Sequence, residues 1–196
     1  MDTYRFPLSI FRFSKNGLWT IFLMAAFPTH VWTILLILQD FAWVAERNNN
    51  WDAIGVGAYG LLAAFVESVF VFIITILLGS LLPRQWRENK RLTVLSILIF
   101  VVGIWAILNQ LYFLIGLNIP RFIFQFLINS AHPLQIIYIL CLVLVIPSVL
   151  LPVYFVSRSE KALQVFQDII ERLSLLTMLY LIADFGGLVI VLIRNI

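Results

Sequence analysis

Five long apolar stretches, separated by short polar segments, dominate the pattern of residues along this chain. Each reaches the ~18 predominantly apolar residues that mark a candidate transmembrane helix. The pattern predicts spans over residues 18–38, 54–82, 92–117, 135–156 and 175–193. Pro83 ends the second span, because proline cannot continue the hydrogen-bond ladder of a helix. The predicted fold class is therefore all-α: a polytopic integral membrane helical bundle, with residues 1–196 as a single transmembrane domain.

A segment over about residues 158–173, between the fourth and fifth spans, has a different pattern. Its apolar residues recur at helical spacing, at Leu163, Phe166, Ile170 and Leu173. Asp168 and Arg172 are four positions apart, where opposite charges support a helix. We expect a short amphipathic helix here, and it is the best candidate surface for docking a partner.

Composition agrees with a membrane protein. The chain is 62% hydrophobic and 12% charged, whereas a soluble domain carries roughly 25% charged residues. The segments between the predicted spans are too short to fold into a soluble domain. Any activity must therefore occur within the lipid bilayer or at its surface.

The distribution of basic residues predicts an orientation. Ten of the 13 Lys and Arg residues lie on the same side of the predicted spans as the N-terminus. The other three lie on the opposite side: Arg47, Arg121 and Arg194. By the positive-inside rule, the N-terminus and segment 158–173 are cytoplasmic and the C-terminus lies across the membrane. A cell (plasma) membrane is the expected location. Because these charges lie in short loops between spans, we expect no nucleic-acid partner despite the net charge of +3.

Glu67 stands in the most hydrophobic part of the chain. A charged carboxylate at the centre of a bilayer is expensive, so such a residue is a candidate functional site. Gly60, Ala64 and Ser68 recur every four residues, which forms a ridge of small side chains where another helix can approach closely. Glu67 is three residues after Ala64, so we expect it to share that ridge and to face a neighbouring helix instead of lipid.

Other polar side chains are predicted within the spans. His30 lies near the middle of the first span, Asp184 near the middle of the fifth, and Gln110 in the third. Together with Glu67 they form a candidate intramembrane polar cluster. No Lys or Arg is predicted inside a span core, so His30 is the only cation available to the two acids. If an acid is not paired with this cation, the hydrocarbon favours a neutral carboxyl group, which can donate a hydrogen bond to another helix.

Sequence motifs for catalysis are absent. The chain has no P-loop, no G-x-G-x-x-G, no H-E-x-x-H and no C-x-x-C. The letters D-F-G occur at residues 184–186, but no kinase-sized domain surrounds them. Cys141 is the only cysteine, so no intramolecular disulfide can form. We therefore predict no catalytic residues, no metal site, no cofactor and no enzymatic activity.

Two functional hypotheses follow from the sequence. In the first, the chain is a non-enzymatic structural or partner-binding membrane module, which binds another membrane protein or forms a homo-oligomer. The polar groups then act as clamps between helices. In the alternative, the chain is a small proton- or cation-coupled transporter that uses Glu67, Asp184 and His30.

Overall fold

A computed structural model describes residues 13–83, 85–114 and 120–196, apart from the side chains of residues 112 and 113. Its helices are α1 Lys15–Arg47, α2 Asn50–Leu81, α3 Glu88–Leu114, α4 Arg121–Ile128, α5 Pro133–Arg158 and α6 Glu160–Asn195. All except α4 are long and apolar enough to cross a membrane. The prediction of an all-α bundle with five such helices is confirmed. The predicted end of the third span, residues 115–117, lies outside the described residues.

Side-chain caps define where three of the long helices begin. Ser14, Asn49 and Ser159 precede α1, α2 and α6, and each accepts a hydrogen bond from the backbone N–H three residues later, at 3.1, 2.8 and 3.3 Å. Each cap satisfies an N–H group that has no partner within its helix. Pro133 is the first residue of α5, where a missing N–H does no harm.

Helix α6 joins two segments that the sequence pattern separates. The predicted amphipathic helix over about 158–173 and the span over 175–193 form one helix of 36 residues. No glycine or proline lies between residues 160 and 185 to interrupt the hydrogen-bond ladder. At ~1.5 Å per residue, α6 is about 54 Å long, so it extends well beyond a hydrocarbon core of ~30 Å.

Helix α1 is the centre of the bundle. It packs against α2, α3 and α6, whereas α5 packs against α3 and α6 and α4 packs against α5. One buried apolar cluster joins α1, α3 and α6 through Ile21, Met24, Ala25, Leu95, Ile99 and Ile170. This cluster lies toward the end of the bundle where α1, α3 and α6 begin, which we call the basic end.

The apolar face of the first half of α6 is covered by the bundle. Leu163 and Phe166 pack against a second buried cluster, formed by Val94, Ile97 and Val156 of α3 and α5. Ile170 belongs to the first cluster, and Leu173 packs against it. The face that the sequence suggested for partner docking is therefore occupied within the chain itself.

The end of the bundle opposite the basic end is joined by an ion pair. Arg194 near the end of α6 donates to Asp52 in the first turn of α2 at 2.7 Å, and to the carbonyl of Trp51 at 2.6 Å. Asn195 donates to the hydroxyl of Tyr59 at 2.7 Å. These contacts hold the last turn of α6 against the start of α2.

Replacing Arg194 with alanine is expected to lower the free energy of unfolding by less than about 1 kcal/mol. The side chains of Arg194 and Asp52 are 22% and 33% exposed, so water and salt weaken their attraction. Denaturant unfolding of the protein in detergent, at low and high salt, measures this effect. A loss of several kcal/mol that does not change with salt would contradict it.

Candidate functional site

His30 and Asp184 form an ion pair or hydrogen-bonded pair in the interior of the bundle. Nε2 of His30 lies 2.9 and 3.0 Å from the two carboxyl oxygens of Asp184. The two side chains are 0% and 7% exposed. The pair joins the middle of α1 to the second half of α6, across 154 residues of sequence.

The hydrogen bond of the second ring nitrogen of His30 limits which atoms of the pair carry a hydrogen. Nδ1 lies 2.7 Å from the backbone carbonyl of Ala26. A carbonyl only accepts, so Nδ1 carries a hydrogen and donates it. Nε2 then either donates to the carboxylate of Asp184 or accepts from its protonated form. Both arrangements place one proton between Nε2 and the carboxyl group, and both leave the pair without net charge.

Two hydroxyl groups extend this polar centre to α2. Thr29 Oγ1 lies 2.7 Å from Ser68 Oγ and 3.4 Å from Nδ1 of His30. Ser68 also donates to the carbonyl of Ala64 at 2.6 Å. Thr29 Oγ1 also lies 2.9 Å from the carbonyl of Ala26, so its one hydrogen is donated either to that carbonyl or to Ser68. The polar side chains of α1 thus contact both α6 and α2, and each hydrogen has an acceptor.

Aromatic and small residues enclose the pair. The ring of Tyr180 stacks on the imidazole of His30, with centroids 6.0 Å apart and planes 11° apart. Thr177, Tyr180 and Asp184 lie three and four positions apart and so share one face of α6. A further turn along, a Cβ atom on Gly187 would lie 3.3 Å from the carbonyl oxygen of Ala58. The backbones of α6 and α2 therefore approach closely just beyond the pair.

Glu67 is exposed on the surface of the bundle, away from the buried pair. It borders cavities that α1 and α3 also line, and its expected contact with a neighbouring helix stays a prediction. The contact with α1 follows the row of Gly60, Ala64 and Ser68, and each step of four residues rotates by about 40° around the helix axis. At the level of Ser68, Glu67 therefore stands about 100° to the side of this contact.

The ridge residues themselves lie at helix contacts. Ala64 and Ser68 are 1% and 0% exposed, and Ser68 contacts α1 through Thr29. A Cβ atom on Gly60 would lie 3.4 Å from Thr33 of α1. The small side chains thus lie between α2 and its neighbours, as ridges of this kind do in membrane helices.

Gln110 is also exposed, and it borders the same cavity as Glu67. This cavity of about 380 Å³ lies between α1, α2 and α3, and Thr29 and Trp32 also border it. The four residues of the predicted polar cluster thus divide into two sites. His30 and Asp184 lie together in the interior, and Glu67 and Gln110 line an open cavity at the surface.

Sequence reasoning missed the contact between Thr29 and Ser68. A usable signal was present, because Thr29 adjoins His30 and Ser68 adjoins Glu67. It also missed Trp32 as a wall of the surface cavity. Trp32 is partly exposed there.

The described residues contain no group of three or more His, Cys, Asp or Glu side chains that could hold a metal ion. Comparison of the chain with protein-family models, with curated protein sequences and with solved structures finds no match.

Proposed function

We propose that the chain is a non-enzymatic multi-pass membrane module that binds a partner in the bilayer. In this proposal, the basic end of the bundle and the N-terminus are cytoplasmic, the C-terminus lies across the membrane, and the membrane is the plasma membrane. The bundle is held together by its internal polar pair, and its open surface is available to another membrane component.

The enclosure of the His30–Asp184 pair is the observation that carries the structural part of this proposal. Both ring nitrogens have partners within 3.0 Å, and both side chains are almost completely buried. Polar groups that satisfy one another in this way act as a clamp between helices. A site that moves an ion must exchange it with water on each side of the membrane in turn.

The position of Glu67 supports the partner-binding part of the proposal. It lies near the middle of α2, a helix with a mean hydropathy of 2.7 over its most apolar window. Intramembrane acids face protein or water in most membrane proteins. Exposure of Glu67 on the isolated chain therefore points to a missing contact.

An ion-flux measurement tests the structural role of the pair. The protein would be reconstituted into liposomes that contain a pH-sensitive dye, and proton entry would be driven by a membrane potential. We expect no more proton entry in wild type than in empty liposomes. Asp184→Asn, which keeps a hydrogen-bonding side chain, should behave identically.

A transporter remains the second candidate, because one contact favours it. Thr29 borders the open cavity and lies 3.4 Å from His30, so its hydroxyl connects the surface with the buried pair. Proton entry that requires wild-type protein and is lost in correctly folded Asp184→Asn would overturn the module proposal and establish this alternative. The same measurement with Na⁺ or K⁺ gradients covers coupled cations.

A further inference from the structure

Two adjoining cavities form one long groove on the surface of the bundle. The first, of about 380 Å³, is bordered by α1, α2 and α3. The second, of about 340 Å³, is bordered by α1 and α2. Trp32 and Glu67 border both, so the cavities meet at these two residues. We call the combined surface the α1–α2 groove.

The length of the α1–α2 groove matches the thickness of a membrane. Its residues on α2 extend from Ala53 to Leu78, a distance of about 38 Å at ~1.5 Å per residue. The hydrocarbon core of a bilayer is ~30 Å thick. A small ligand would occupy only part of such a groove, whereas a transmembrane helix would contact all of it.

The residues along the groove suit a helix. On α2 they recur at steps of three or four positions, so they form one continuous stripe. Several of its small residues already pack against α1: Ala53 and Ala64 are 3% and 1% exposed. The side chains of the stripe that stay exposed to a further helix include Val56, Ile74 and Leu78.

Glu67 lies near the middle of the groove and lacks a partner among the residues that the structure describes. None of them donates a hydrogen bond to it, and no Lys or Arg within this described part of the chain borders either cavity. His30 is already paired with Asp184. An unpaired carboxylate at this depth costs several kcal/mol, and a cation nearby would offset that cost.

Within the described part of the chain, a second copy offers no cation at the depth of Glu67. Every described Lys and Arg, including Arg172 of α6, lies outside the five predicted spans, where side chains reach the membrane surface. Pairing two α1–α2 grooves would bring a second Glu67 into the hydrocarbon. Charge complementarity therefore favours a different protein.

We propose that the α1–α2 groove binds a transmembrane helix of a partner protein that carries a Lys or Arg side chain near its midpoint, paired with Glu67. This inference rests on the proposed role as a partner-binding module and defines the chemistry of the partner. The basic side chain sets which helices bind and at which depth. The exposed apolar residues on both sides of Glu67 provide the remaining contact.

Synthetic transmembrane peptides test this inference. The peptides would have ~20 Leu and Ala residues, enough to span the core, with either Lys or Leu at the central position. Energy transfer between a fluorophore attached after Ile196 and one on the peptide would report binding in lipid vesicles. Wild type should bind the Lys peptide about tenfold more tightly than the Leu peptide. A polar contact between membrane helices contributes about as much free energy as a tenfold difference in affinity requires.

Two variants identify the site. Glu67→Gln should bind the two peptides about equally, because it removes the charge and keeps the shape. Asp168→Asn changes an exposed carboxylate of α6 far from the groove, and it should bind as wild type does. Equal binding of both peptides to wild type, or an unchanged preference in Glu67→Gln, would overturn the inference.

One further probe distinguishes a small ligand from a helix. If a single-chain alkylamine binds in a Glu67-dependent way and the Lys peptide does not, the site accepts an amphiphile and the partner-helix inference fails. None of these outcomes depends on ion flux. The inference can therefore fail while the module proposal stands, and a protein-dependent flux would defeat the module proposal separately.

Discussion

Replacing Asp184 with alanine is expected to lower the free energy of unfolding by about 2–4 kcal/mol. Nε2 of His30 would lose its only side-chain partner in the described structure. It would then face Tyr180 and the small cavity that the substitution leaves. His30 is 0% exposed, so its ring lies away from bulk water. Denaturant unfolding in mixed micelles, followed by tryptophan fluorescence, measures the change.

The matched control is Asp168→Ala on the same helix. Asp168 is exposed and has no ion pair in the described structure, so the free energy of unfolding should change by less than about 0.5 kcal/mol. If Asp184→Ala proves as mild as Asp168→Ala, the pair contributes nothing to the stability of the bundle.

Replacing Gly103 with alanine is expected to destabilise the protein by about 1–3 kcal/mol. A Cβ atom at this position would lie 2.5 Å from Cβ and 2.8 Å from Cγ of Pro28. The proline ring is rigid and belongs to the backbone of α1, so α1 and α3 would have to separate. The same unfolding measurement applies to this variant.

Gly186 provides the control for the glycine substitution. Nothing lies within 4 Å of a Cβ atom built on it, although it too is inside a long helix. Alanine at this position should leave stability unchanged or raise it slightly, by about 0.5–1 kcal/mol, through helix propensity. If both glycine variants behave alike, α1 and α3 do not pack as closely as the structure shows.

The fold could be predicted from sequence to a large extent, because hydrocarbon leaves the backbone few choices. A long apolar segment has to satisfy its own hydrogen bonds, so it must be helical. The exact helix ends were harder, since helices continue beyond the hydrocarbon wherever nothing interrupts them. Segment 158–173 shows this, because it has the period of a surface helix but continues without a break into the last span.

The candidate site was predictable only in part. The depth of a residue in the membrane follows from its position in a span, so His30 and Asp184 could be expected at similar depths. The direction in which each side chain points depends on which helices are neighbours and how they cross. Sequence spacing placed Glu67 on the same ridge as Ser68, whereas Ser68 is buried and Glu67 is exposed beside that contact. Only the arrangement of α1, α2 and α3 shows that Glu67 lies in an open groove.

The relation between the two acids follows from that arrangement. Asp184 is paired with His30 in the bundle interior, and the pair carries no net charge. Glu67 has no such partner among the described residues and lies where another helix can reach it. The same chemistry, a carboxyl group in hydrocarbon, is therefore used for stability at one position and, in our proposal, for recognition at the other.

A double-mutant cycle with His30→Ala and Asp184→Ala tests the central claim most directly, because it isolates the contact between α1 and α6. The claim that the pair is a structural clamp predicts a coupling energy of about 1–2 kcal/mol in unfolding, so the double variant should lose that much less stability than the sum of the two single losses. Strictly additive losses would show that the two side chains do not interact, and would contradict the account.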